Sequence, residues 1–66
     1  MSTVKVIEVI GSSEKSLEDA IQQTLVDASK TIRNIDSLWV KNIKVHVDNN
    51  KIKSYGVNCK ISFRID

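Results

Sequence analysis

Between Leu38 and Val47 the apolar residues change parity. Leu38 and Val40 occupy even positions, whereas Ile43, Val45 and Val47 occupy odd ones. A strand turns alternate residues to opposite faces, so one regular strand cannot bury both sets. An extra residue near Lys41–Asn42, a β-bulge, resets the phase and lets both sets share a face. This places the chain's only tryptophan. With Leu38 and Val40 on the core side, Trp39 points the other way, together with Ser37 and Lys41. A one-residue slip would bury Trp39 but expose two aliphatic residues, losing more apolar burial than it gains.

The flanking segments supply the remaining elements. Val4 to Ile10 is β-branched apart from Lys5 and Glu8, which predicts a strand stopped by Gly11. Ser13 is a candidate helix N-cap, with Ser16 followed by Asp19 as a second. Leu17, Ala20, Ile21, Leu25, Ala28 and Ile32 form one apolar stripe, interrupted by Thr24. They predict a helix of about five turns ending near Arg33–Asn34. Val26 falls nearly opposite the stripe, where a subunit contact would suit it. Asp48-Asn49-Asn50 carries turn chemistry and predicts a hairpin. In the last strand Tyr55, Val57, Cys59, Ile61, Phe63 and Ile65 share one face.

The order β-α-β-β defines an α+β fold. A right-handed crossover makes the first two strands parallel, and the hairpin reverses the last. The last strand is therefore central in a three-stranded antiparallel-type sheet, packed on one helix. The second strand becomes an edge of roughly eleven residues from Ser37 to Val47, long against the usual ~5–6. A long open edge favours pairing with another chain.

Size points the same way. Residues 1–66 make one small domain, and a domain this short buries only about 60% of its unfolded surface. Cys59 is the only cysteine and His46 the only histidine, so neither a disulfide nor a paired metal-ligand motif is available. Oligomerisation is left as the stabilising device. The net charge of +2, from 10 basic and 8 acidic residues, is a mixed surface rather than a strong nucleic-acid field. The longest apolar run is far below the ~20 residues of a membrane span. Lys5 and Glu8 interrupt any signal-peptide core, and a cytoplasmic location is expected.

Trp39 then has three readings: a subunit-interface anchor, a stacking platform for a planar ligand, or an exposed ring with no role. The stretches "VKVIEVIGSSEKSLEDAI", "ASKTIRNID", "WVK" and "YGVNCKISFRI" resemble the dodecin family in order and spacing from Val4 to Ile65. The resemblance implies a βαββ subunit assembled into a hollow homododecamer. It implies binding of a planar small molecule, a flavin such as riboflavin or its nucleotide forms FMN and FAD, stacked between tryptophans near two-fold axes. It also implies storage rather than catalysis, with coenzyme A or ions bound by some members. The family's flavin-stacking tryptophan corresponds to Ser37 here, and its ring-binding glutamine to Gly56. The basic position late in the second strand is Lys44, and the arginine after the last-strand phenylalanine is Arg64. Both suit a phosphate or a neighbouring subunit's carboxylate. Trp39 stands two residues, or roughly 6.6 Å, beyond the family's tryptophan on the same face. The expectation is a flavin site that is weakened or altered, at Trp39, Lys44, Arg64, Ser37 and Gly56. The alternative is a shell that does not use flavin and binds another ligand, with Trp39 filling an interface.

The other polar residues point to structure. His46 is expected to be solvated or inter-subunit, Cys59 an inert core residue, and Tyr55 a core or interface anchor. No nucleophile–base–orienter set can be assembled, so an enzyme is not expected. Lys41, Lys44, Lys51, Lys53, Lys60 and Arg64 cluster around the hairpin. They form either a solvated face or a surface for an anionic partner. A nucleic-acid module is the rival class, but it would need more aromatics on the sheet face than Gly56, Asn58 and Ser62 provide.

Overall fold

A computed structural model describes residues 3–65 of the chain. The elements are β1 (Val4–Ser13), α1 (Leu17–Ser29), β2 (Ile35–Asp48) and β3 (Lys51–Arg64). The sheet order is β1-β3-β2, with β3 antiparallel to both neighbours. This is the expected α+β arrangement with the last strand central.

The hairpin closes tightly. Asp48 pairs with Lys51, and Asn49 and Asn50 between them have φ of 51° and 62°. Positive φ at both loop positions is the type I′ turn, whose twist matches that of the strands it joins. Asparagine tolerates that conformation better than most residues. The bulge lies where the parity change demands it, between Val40 and Asn42, with Lys41 as the extra residue. Two further irregularities fall at Ile35/Ser37 and His46/Val47. The second strand is therefore longer than expected, at 14 residues.

Three local expectations are corrected. Gly11 does not end β1, which runs on to Ser13 with Gly11 opposite Val57. Gly11 instead lets the helix approach. A Cβ there would overlap the Thr24 hydroxyl and lie 3.0 Å from Thr24 Cβ. Ser16, not Ser13, is the N-cap, and its Oγ accepts from Asp19 N at 3.0 Å. The Ser13 hydroxyl accepts from Lys15 N and donates to Asp19 Oδ2, securing the strand-to-helix turn. The helix is also shorter than the stripe predicted, at 13 residues. Near its end the Ser29 hydroxyl donates to the Val26 carbonyl at 2.7 Å, a local bond that competes with continued helix. Asn34, at φ 61°, then turns the chain into β2.

The core lies between α1 and the sheet. Ala20, Val57, Cys59 and Ile61 are fully buried, and Leu17, Ile21, Val9, Leu38, Val40 and Tyr55 pack around Ala20, Val57 and Cys59. Thr24 is also buried, its hydroxyl satisfied by the Ala20 carbonyl at 2.7 Å. This cover is partial. The helix is about 20 Å long, whereas a 14-residue strand extends for about 47 Å, and the molecule measures 51 × 19 × 14 Å. Ile43 and Val45 pair with Val57 and Tyr55, so they share the core side, yet both are exposed. Val47, 63% exposed, faces Ile52 farther out on the same arm. No helix of the described residues is long and apolar enough to cross a membrane.

Candidate ligand-binding face

The sheet face turned away from α1 is built in rows set by the strand register. Ser62 stands between Val6 and Ser37, Lys60 between Glu8 and Trp39, and Asn58 between Ile10 and Asn42. Gly56 follows between Ser12 and Lys44, while Arg64 pairs with Val4 at the opposite end. Trp39 lies on this face, 45% exposed, as the parity argument requires. Lys41, the bulged residue, reaches across β3 to Glu8 Oε1 at 3.4 Å. That pair is half exposed and is worth at most about 1 kcal/mol.

The five predicted site residues fall into three places. Ser37 and Trp39 are neighbours, and the Ser37 hydroxyl is tied to that of Ser62 at 2.6 Å. Lys44 and Gly56 share one row, about 13 Å from Trp39 along the strand direction. Arg64 lies eight residues from Gly56 on β3, about 26 Å away. A single subunit thus brings Lys44 to Gly56 and Ser37 to Trp39, and sets Arg64 one row beyond Ser62, the partner of Ser37, about 7 Å along β3.

The Lys44 end is concave. A cleft of about 460 Å³ opens there, lined by Ile10, Ser12, Asn42, Lys44, His46 and Asn58 above the backbone of Gly56. A Cβ on Gly56 would sit 3.4 Å from the Lys44 carbonyl and 3.9 Å from His46 Nε2. Both are tolerable contacts, so the backbone does not impose glycine and the open floor is a consequence of the residue chosen. Asn58 Oδ1 is sealed from solvent and has no hydrogen-bond partner. Ile10, 81% exposed, forms an apolar wall. Sequence reasoning singled out neither Ser12 nor Asn58 as a site residue, and it left His46 to solvent or a neighbouring subunit. The available signal was register: counted from the hairpin past the irregularity at His46/Val47, these residues fall in adjacent rows.

The site offers binding groups and little reactive chemistry. Cys59 is fully buried on the other face, and desolvation pushes its thiol pKa up. No cluster of three or more His, Cys, Asp or Glu is positioned to hold a metal among the described residues.

The dodecin family model matches residues 3–66. The chain belongs to the dodecin family. The dodecin of Thermus thermophilus is 39% identical over 62 residues, covering 94% of this chain and 90% of the relative. A crystal structure of an arginine-to-alanine variant of that dodecin superposes with a TM-score of 0.94 at 36% identity, covering 100% and 98% of the two chains. Calcium dodecin from Mycobacterium tuberculosis, described as calcium-chelating with a novel calcium-binding site, superposes at 0.84 with 30% identity. Coverage there is 98% of this chain and 93% of the other. The βαββ fold is thus that of the family.

Proposed function

We propose that this member of the dodecin family assembles into a homododecamer that binds and stores a planar aromatic ligand of the flavin class. The observation that carries the reading is Trp39, half exposed on the sheet face away from the helix. A tryptophan presented there is a stacking surface, and stacking is worth ~1–3 kcal/mol per ring. The expected flavin site is altered, because Ser37 is a small polar residue locked to Ser62 and Gly56 supplies no side chain. Riboflavin, FMN or FAD would therefore bind more weakly than at a site with both aligned groups, and coenzyme A is a second candidate ligand. Lys44 and Arg64 supply the cationic groups, Arg64 from a different subunit than Lys44 if both meet one ligand.

Assembly is supported by what the helix leaves uncovered. The apolar arm of Ile43, Val45, Val47 and Ile52 is exposed in the subunit. An apolar hollow of about 520 Å³ lies between α1 and the start of β2, beside Leu25, Val26, Ile35 and Leu38. Contiguous exposed apolar surface of this kind marks interaction sites. The role is binding rather than catalysis, in keeping with a thiol buried in the core.

Riboflavin titration followed by flavin fluorescence tests the ligand, and light scattering after size exclusion tests the assembly. Quenching with saturation is expected in the assembled protein and is lost in Trp39→Ala. No quenching at high micromolar protein would remove the flavin reading and leave a shell for another ligand.

A further inference from the structure

We propose that Lys60 makes the Trp39 platform selective for a planar aromatic ring that carries negative charge, and that Lys41 keeps Lys60 available by occupying Glu8. The inference rests on Trp39 as a stacking surface, as read above, and adds the charge which that surface prefers. It does not require the ring to be a flavin.

The strand register gathers three charged groups around the indole. Lys60 on β3 stands between Glu8 on β1 and Trp39 on β2. Residues directly opposite on antiparallel strands have Cβ atoms about 4.5–5.5 Å apart, so Glu8 is the natural partner of Lys60. Glu8 is engaged elsewhere. The bulge adds Lys41 to β2, and its Nζ crosses β3 to Glu8 Oε1 at 3.4 Å. Among the described residues Lys60 makes no ion pair. Two ammonium groups therefore share one carboxylate, which leaves a surplus positive charge beside a half-exposed indole.

The neighbouring rows add no charge. One holds Val6, Ser62 and Ser37, the other Ile10, Asn58 and Asn42. Lys44 and Arg64 lie two rows away in opposite directions, about 13 Å along the strands. The selectivity thus belongs to the platform itself. A neutral ring on Trp39 gains stacking alone, whereas an aryl anion also gains the attraction of an unpaired ammonium at its edge. Lys60 is partly buried, so its stem is held along the sheet while its charged end stays at the surface. Solvent screens that attraction, and the result is a preference of several-fold rather than an absolute requirement.

Naphthalene-2-carboxylate and naphthalene-2-carboxamide form the probe pair, with the same ring and different charge. Labelling with fluorotryptophan gives one fluorine resonance, because Trp39 is the only tryptophan. In the assembled protein at neutral pH and low salt, the carboxylate is expected to bind about fivefold or more tightly than the carboxamide. That ratio falls toward one as salt rises. Lys60→Met brings it below about two without weakening the carboxamide, and Lys60→Arg keeps the preference. Lys41→Met releases Glu8 to Lys60 and lowers the ratio, and adding Glu8→Gln restores it, a coupling that loss of Lys41 charge alone does not produce. Light scattering verifies that each variant remains assembled. A wild-type ratio near one, no saturable shift with either probe, or an unchanged ratio in assembled Lys60→Met overturns the proposal. A Lys41→Met, Glu8→Gln protein that does not recover overturns the role given to Lys41. The flavin reading fails separately. No riboflavin quenching with the carboxylate preference intact removes flavin and keeps the charge selection, whereas quenching with a ratio of one removes the charge selection alone.

Discussion

Gly11→Ala is the most direct test of how the helix is seated on the sheet. The added methyl would overlap the Thr24 hydroxyl and come within 3.0 Å of Thr24 Cβ. Two responses are open to the protein. Thr24 can rotate, which breaks its 2.7 Å bond to the Ala20 carbonyl and strands a polar group in a site only 5% exposed; that costs about 1–3 kcal/mol. Alternatively the helix moves away, and overpacking of this kind costs about 1–3 kcal/mol. The protein takes the cheaper response or a mixture of the two, at a cost of about 1–3 kcal/mol. A small domain has only ~5–15 kcal/mol of stability, and each kcal/mol shifts its melting temperature by ~4–8 °C. Melting is followed by far-UV circular dichroism at one fixed protein concentration, because assembly contributes to apparent stability. Gly11→Ala is expected to melt at least ~4 °C lower. Thr24→Ala alone loses one hydrogen bond but gains helix propensity, and changes stability by no more than about 1 kcal/mol. In the Gly11→Ala background the same change removes the overlapping hydroxyl and restores at least half the loss. Melting of Gly11→Ala within about 2 °C of the parent would refute the close-approach argument. Failure of Thr24→Ala to rescue it would refute the assignment of the clash to the hydroxyl.

Other predictions concern the ligand face, the arm and the thiol. Ser37→Trp combined with Gly56→Gln should tighten riboflavin binding by ~5- to 150-fold, the equivalent of ~1–3 kcal/mol of stacking; unchanged quenching curves would show that the face does not meet flavin as proposed. Val47→Lys with Ile52→Lys places two charges on the uncovered arm and should shift the light-scattering mass to smaller species, whereas an unchanged mass would exclude the arm from the interface. Cys59 should resist a thiol reagent in the native protein and react on denaturation. Because its folded pKa is raised, the unfolded chain releases this proton first, so its contribution to stability is complete at neutral pH and is lost as pH rises above ~8.5. Cys59→Ser should flatten that alkaline decline in a melting-temperature series.

The features legible in the sequence were those governed by local period. The switch from Leu38/Val40 to Ile43/Val45/Val47 gave the bulge and the direction of Trp39, because side-chain alternation needs no knowledge of the partner strand. The same holds for Tyr55 to Ile61. What sequence reasoning missed depends on distance in space. Gly11 resembles a strand terminator in one dimension, and its purpose emerges only when Thr24 is laid across it. The apolar stripe through Ala28 and Ile32 exaggerated the helix, since a single serine hydroxyl bond is a weak sequence signal. Periodicity assigned Ile43, Val45 and Val47 to the core side but could not say that the helix stops short of them. In the candidate site, Gly56 counted as a lost contact in sequence; in space it leaves the floor of the cleft open.

The two-residue turn at Asn49-Asn50 also sets the order of events during folding. It joins β2 to β3 with the shortest possible loop, so that pairing can begin without waiting for distant contacts. β1 is different: Val4 meets Arg64 and Ser13 meets Tyr55, so the loops it closes run to tens of residues, at a higher entropic cost. Docking of β1 is therefore the late event. Ile10 and Ser12 arrive only with it, and they form one side of the Lys44 cleft. A newly made chain thus acquires its hairpin before it acquires this cleft, and a ligand that needed both walls could select only chains whose first and last strands have come together.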